Sequence, residues 1–317
     1  MYIMRFTNVA RVPMLWGWPR RGRGKKDEEM AFVIAGVTGN TGKVVAETLL
    51  ADKKAVRVVV RDAAKGGAWK DKGAEVAVAD LGDAKALAAA LTGAEGAYLL
   101  VPPSMTEPSF AAYQDRVIES LATAIEAAKV PHVVFLSSVG AQHAGGTGPI
   151  AGLHRAEQRF ARIPGTAFSH VRAAYFMENL AGSLGTLAQG AISSFLPATF
   201  ALPMIATRDI GRVAAKLLVE GTKQTQIIEL SSGPYSAEDA ADALGKITSK
   251  RPTVQVAPLD AVVPAFTSFG MPKDLAELYR EMLEGITKGH VSYDGAGRKV
   301  VGETSLEDVL RGLVGAG

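Results

Sequence analysis

The 317-residue chain contains no cysteine, which removes disulfides, thiolate nucleophiles, zinc ribbons and iron–sulfur clusters together. Its five histidines, His132, His143, His154, His170 and His290, show neither HxxxH nor HxH spacing, so no metal-ligand pattern is present. No apolar run approaches the ~18 residues needed to cross a bilayer. A net basic charge is absent from the body of the chain. Arg5, Arg11, Arg20, Arg21, Arg23, Lys25 and Lys26 all fall in the first 26 residues, where there is no acid, and the rest of the net +3 chain is slightly acidic. A nucleic-acid face would need basic residues clustered on the folded domain, and none are.

What the chain does have is ordinary for a globular protein with a buried core: 48% hydrophobic and 21% charged residues. Residues 1–29 carry no clean period and no signal-peptide core. They are expected to be a disordered or non-native extension, with Met30 a natural start just before the first strand; an Arg-rich organelle transit peptide is the alternative. The expected location is cytoplasmic.

From Met30 onward, short β-branched runs alternate with Ala-rich helical stretches. The runs predict strands at 31–36, 56–61, 75–78, 95–101, 132–137 and 167–172, with helices near 42–52, 63–71, 83–91, 108–129 and 152–162. Continuously apolar strands joined by helical links imply parallel pairing with both faces covered. Residues 30–172 are therefore expected to form an α/β, doubly wound parallel sheet of the Rossmann type. Residues 173–317 read as a smaller, mostly helical lobe over the substrate side, with elements returning to the sheet. In it, 173–200 reads as helix and loop, 208–220 as a helix N-capped by Asp209, and 226–230 as a strand. Helices follow near 236–247, 272–287 and 304–313.

The first strand runs into Gly36-Val37-Thr38-Gly39-Asn40-Thr41-Gly42 and then a helix. Gly36 allows the tight turn, Gly39 lets the backbone approach a pyrophosphate, and Gly42 lets the helix pack on the strand, while the helix start offers free N–H groups to phosphate. Thr38, Asn40 and Thr41 complete the cofactor-binding set of this loop. Lys43 is followed by Val44, which disfavours a nucleoside triphosphatase.

The second strand ends at Arg61, with Lys65 one turn on. A cation here suits the 2′-phosphate of NADP(H), whereas NAD(H) sites place a carboxylate. Asp62 could still hold a ribose, so NADP(H) is preferred with NAD(H) at lower affinity. Asp80 and Leu81, after the third strand, fall where adenine lies. Leu100, Val101, Pro102 and Pro103, after the fourth, fall along the cofactor towards the nicotinamide-side ribose. All of these also read as plain loop residues.

The loop GVTGNTG, the Arg-ended second strand, YLLVPP, KVPHVVFLSSVGAQ and VRAAYFMENL together resemble the NmrA-like family, a branch of atypical short-chain dehydrogenase/reductases, over roughly residues 31–215. The resemblance implies a Rossmann domain with a small C-terminal lobe, NADP(H) binding, and a monomer or loose homodimer. Some members of the family are reductases of quinones, azo dyes or phenylpropanoid double bonds. Others sense dinucleotides and turn nothing over.

No YxxxK pair occurs in the body, so ordinary carbonyl reduction by a Tyr–Lys dyad lacks its residues. Family reductases often carry a Lys four residues before a Glu in the helix after the fifth strand. That Glu matches Glu157, and the Lys position holds Leu153. The neighbouring His154 is the candidate for proton delivery, with a plain helix-face histidine as the alternative. Ser138, with Ser137, ends the fifth strand where a substrate carbonyl would be oriented; turn capping is the alternative, as it is for Gln142 and His143. Arg172 ends the sixth strand. Tyr175, Phe176 and Met177 suit a substrate pocket or plain core, and Glu178 or Asn179 a polar lid contact. The first functional reading is an NADP(H)-dependent oxidoreductase passing hydride to a small-molecule electron acceptor, foremost a quinone. The alternative is a non-catalytic redox sensor that binds a protein partner; a nucleotide-sugar dehydratase or epimerase also normally needs YxxxK.

Overall fold

The computed structural model describes residues 30–315. The expectations for residues 1–29 lie outside these. Strands β1 (Ala31–Ile34), β2 (Val56–Val60), β3 (Glu75–Val78), β4 (Ala94–Leu99), β5 (His132–Ser138) and β6 (Ala167–Ala173) alternate with helices. These helices are α1 (Asn40–Ala51), α2 (Gly67–Asp71), α3 (Ala84–Leu91), α4 (Phe110–Ala128) and α5 (Ile150–Phe160). Then come β7 (Tyr175–Phe176), a run of 3₁₀ turns at Met177–Gln189, β8 (Ala191–Ser194), β9 (Leu202–Ile205), α6 (Thr207–Glu220) and β10 (Gln226–Ser231). The chain continues through β11 (Gly233–Tyr235), α7 (Ala237–Thr248), β12 (Thr253–Val256), α8 (Val262–Ser268), α9 (Lys273–Thr287), β13 (Arg298–Val301) and α10 (Leu306–Gly315).

The main sheet has eight strands in the order β13-β10-β6-β5-β4-β1-β2-β3, every neighbouring pair parallel. Side chains that alternate along each strand feed two separate cores. Phe32 and Ile34 join Val45 and Leu49 of α1 and Ile210 and Leu217 of α6 on one face. Val33 and Ala35 join Leu87, Leu121 and Phe160 of α3, α4 and α5 on the other. Strands covered on both faces must be apolar throughout, which is why β1 reads AFVI without alternation. A third core, with Met204, Leu244, Leu283 and Leu310, holds the later lobe together. The strand order reverses between β1 and β4, and the crevice at the carboxyl ends of these strands is where such sheets bind ligands.

Several expectations need correction. The helix expected over 63–71 is a 3₁₀ turn, Ala63–Gly66, followed by α2, because the Asp62 carboxylate accepts from the Ala64 N–H at 2.9 Å and caps a tighter turn. The span 173–200 contains β7 and β8 as well as turns, paired with β9 and β12 in two small side sheets. Asp209 is not an N-cap: the N-cap of α6 is Ala206, which has no capping side chain. Asp209 is buried and accepts instead from the Thr304 N–H at 2.7 Å and hydroxyl at 2.9 Å. The helix start is held from outside by Glu178, which accepts from the Thr207 N–H at 2.9 Å and hydroxyl at 2.6 Å. Its negative charge complements the helix dipole there, so Glu178 is a remote cap rather than a lid.

Candidate functional site

Gly36 sits at φ +69°, a left-handed conformation, and a Cβ there would lie 2.5 Å from Leu100 Cδ2. A Cβ on Gly42 would lie 2.4 Å from the Ala35 carbonyl oxygen, so a side chain is excluded where α1 leaves β1. Gly39 is the N-cap of α1 and supplies no capping side chain. The first N–H groups of the helix are therefore left to an external acceptor. Asn40 opens the helix. Thr41 is buried, and its hydroxyl accepts from the Tyr98 hydroxyl at 2.9 Å. It ties the loop to β4, and burial pushes the ionisation of Tyr98 upward.

Beyond the loop lies a groove of about 460 Å³, whose lining includes Gly36, Thr38, Arg61, Lys65, Asp80, Leu81 and Pro102. Elements β1, β2, β3 and β4 each end here, so residues far apart in sequence meet at one sheet edge. Among the described residues, neither Arg61 nor Lys65 has an ion-pair partner. Two unneutralised cations at the rim of a groove present a field for an anion. Asp80 is engaged locally, accepting from the Gly82 N–H at 2.7 Å. Val101 is not part of the groove lining and packs with Leu81 on the core beneath. Sequence reasoning missed Tyr113 and Arg116 of α4, which also line the groove. Arg116 lies 5.8 Å from the Tyr113 ring centroid and pairs with Glu107 at 2.9 Å. Burial, then the Asp80 charge, raises the ionisation of Tyr113 while Arg61 opposes it. Their i, i+3 spacing was the available signal.

On the same sheet edge, past the ends of β5 and β6, is an apolar cavity in two chambers. The one at the strand ends, called inner for that position, is about 170 Å³ and is lined by Ser138, Val139, Ala174, Tyr175 and Phe176 together with residues of α9. The outer one is about 340 Å³. Tyr175, Asn179, Leu202, Tyr279 and Met282 belong to both. Burial pushes the Tyr175 hydroxyl up to about 12, with Tyr279 nearby adding to the effect and Asn179 opposing it. Tyr175 therefore stays a neutral hydrogen-bonding group at neutral pH.

Ser138 thus stands in the cavity, its hydroxyl donating to the Val139 carbonyl at 3.0 Å. His154 does not line it; its Nδ1–H donates to the Ala141 carbonyl at 2.9 Å. Ser137 is buried and donates to Glu157 at 2.6 Å, and Glu157 in turn pairs with Arg172. Gln142 donates to the Ser292 carbonyl at 2.7 Å, and His143 stacks on His290 with centroids 4.0 Å apart. These groups brace the loop after β5. Among the described residues no cluster could hold a metal ion, and no helix is long and apolar enough to cross a membrane.

The sequence pattern of the NmrA-like family matches residues 28–292. Quinone oxidoreductase 2 of Escherichia coli is 28% identical over 274 residues, covering 81% of this chain and 88% of that protein. NAD(P)H azoreductase of Xenophilus azovorans is 26% identical over 255 residues, covering 79% and 85%. The crystal structure of the Citrobacter sp. triphenylmethane reductase complexed with NADP(H) matches with a TM-score of 0.75 at 19% identity, covering 89% of this chain and 100% of that one.

Proposed function

The chain belongs to the NmrA-like family, and from that premise we propose that it is an NADP(H)-dependent reductase, accepting NAD(H) at lower affinity, that passes hydride to a small electrophilic acceptor, foremost a quinone. The observation that carries the reading is the groove that brings Arg61 and Lys65, neither with an ion-pair partner among the described residues, beside Gly36 and Thr38. The relatives named for quinone and azo-dye reduction, and the neighbour crystallised with NADP(H), support it.

A pyridine dinucleotide fits the residues present. The uncapped start of α1 and the side-chain-free approach at Gly36, Gly39 and Gly42 suit a pyrophosphate. Arg61, with a guanidinium that can bond two phosphate oxygens, and Lys65 suit the 2′-phosphate. Asp80 and Leu81 would border the adenine and Pro102 the ribose beyond it, while Val101 supports this edge from the core beneath. When bound, the cofactor supplies a hydride donor at its nicotinamide. The chain's own task is then to orient the acceptor. Ser138 orients an acceptor carbonyl by turning its one O–H from the Val139 carbonyl to the acceptor oxygen. His154 acts one layer back, its Nδ1–H fixing the backbone at Ala141 just past Ser138. A quinone needs one proton besides the hydride to become the hydroquinone, and here it comes from water.

One observation favours a second reading, a dinucleotide-binding redox sensor that turns nothing over. Among the described residues no side chain lining either chamber is charged, and no histidine reaches them. The deciding experiment is consumption of NADPH and NADH with quinones, azo dyes, enones and aldehydes. Turnover of one class with NADPH preferred is the expected result. Silence across the panel, with tight NADPH binding, would replace the reductase with the sensor and turn attention to a protein partner.

A further inference from the structure

The inner chamber alone is smaller than a common ligand site, which runs from about 300 Å³ upward. The outer chamber is the larger of the two and has no task in holding a small ring near Ser138. Its wall includes an edge-to-face aromatic chain, with Phe195 and Phe266 5.7 Å apart and Phe266 and Tyr279 5.6 Å apart. At its border Phe269 is 87% exposed, so the outer chamber reaches solvent beside an apolar side chain. The polar groups at the junction of the chambers, the Tyr175 and Tyr279 hydroxyls and the Asn179 amide, are all neutral.

We propose that the preferred acceptor is an uncharged molecule with a single-ring head and a flexible apolar tail, the head in the inner chamber beside Ser138 and the tail in the outer chamber. This rests on the reductase reading for its chemistry but not for its shape. A compact ring leaves the outer chamber wet against aromatic walls, and a tail replaces that water with apolar contact. An acceptor bearing sulfonate or carboxylate groups would strand its charge, since among the described residues neither lining offers a cation.

The test is a series of 1,4-benzoquinones with the same ring and no tail, a butyl tail or a hexyl tail. KM is read with NADPH, and Kd is read by calorimetry on protein saturated with NADP+, where no turnover intervenes. Each buried methylene is worth up to about fourfold, so KM and Kd are expected to fall at least about tenfold from no tail to butyl. Gly182 borders the outer chamber, and a Cβ there meets nothing within 4 Å. Gly182→Phe can therefore enter that space without a clash at its base, and the ratio between the tailless and butyl quinones is expected to collapse towards one. Equal values across the series overturn the proposal, as does a ratio that Gly182→Phe leaves intact. If no quinone is reduced, the reductase reading fails, while the Kd series still decides the shape of the ligand.

Discussion

Arg172, near the end of β6, and Glu157, in α5, form a buried two-bonded ion pair, Nε to Oε1 at 3.1 Å and Nη2 to Oε2 at 2.7 Å. Only 6% and 8% of their side chains are exposed. Ser137 donates to the same carboxylate, and Asp294 reaches the outer side of the guanidinium at 3.4 Å. Burial opposes the Arg172 charge, but the Glu157 carboxylate outweighs it and raises the ionisation of Arg172. The pair locks α5 onto the strand edge that carries Ser138.

Glu157→Ala leaves a buried guanidinium with Asp294 as its remaining partner. Stability is expected to fall by about 3–5 kcal/mol, read from urea unfolding. Replacing both partners, Glu157→Leu with Arg172→Met, is expected to recover most of that loss. A single variant as stable as the parent would mean that water reaches the pair.

Arg61→Ala removes a charge-assisted contact worth roughly 1.5–3 kcal/mol. NADPH affinity is expected to drop roughly ten- to a hundredfold, with a much smaller change for NADH. Equal losses for both dinucleotides in a fluorescence titration would remove Arg61 from the 2′-phosphate.

Gly42→Ala and Gly39→Ala separate packing from ligand approach. The new Cβ at Gly42 would press on the Ala35 and Gly36 carbonyl oxygens at 2.4 and 2.6 Å, both backbone atoms that cannot swing aside. It is expected to cost about 1–3 kcal/mol of stability. The new Cβ at Gly39 meets only the Gly36 carbonyl oxygen, at 3.4 Å, so thermal stability should hold while dinucleotide binding weakens. Similar melting losses in the two variants would contradict this division.

Stability should decline as pH falls below about 6.5. Burial holds His132 and His170 below their ordinary value of 6.5, so in this window the unfolded chain binds more protons than the folded one. The neutral forms contribute fully above 6.5 and their contribution is lost on acidification. His170 lies stacked on Phe168 at 5.5 Å, and His170→Phe is expected to flatten the decline below about pH 6.5. An unchanged slope would assign the acid sensitivity elsewhere.

The middle of the sheet was legible because β1 is buried at every position and apolar throughout, and β2, β4 and β5 are buried at most of theirs. The glycine loop was legible because steric limits at Gly36 and Gly42 leave no other residue. The small side sheets were hidden. Strand β7 is only Tyr175–Phe176, β9 is LPMI and β11 is GPY, too short and proline-marked to show a period. Asp209 looked like a cap because caps and buried acceptors use the same residue, and only the fold reveals that Thr304 lies against it. The cavity depended on Tyr279 and Met282 of α9, whose helical period shows a buried stripe but not that the stripe faces Ser138.

Strand β13 joins the sheet late in the chain, pairing in register from Ile228 with Arg298 to Ser231 with Val301. Until it emerges from the ribosome, β10 is a bare edge, with unpaired backbone groups beside the apolar side chains of Ile228 and Leu230. A nascent chain that has passed α9 already holds the material for seven strands of the main sheet, with β10 still open on its outer side. Val301 stays 71% exposed, while Arg298 and Lys299 put like charge on the finished rim. The last strand thus replaces an edge open to foreign strands with one that repels its own copies.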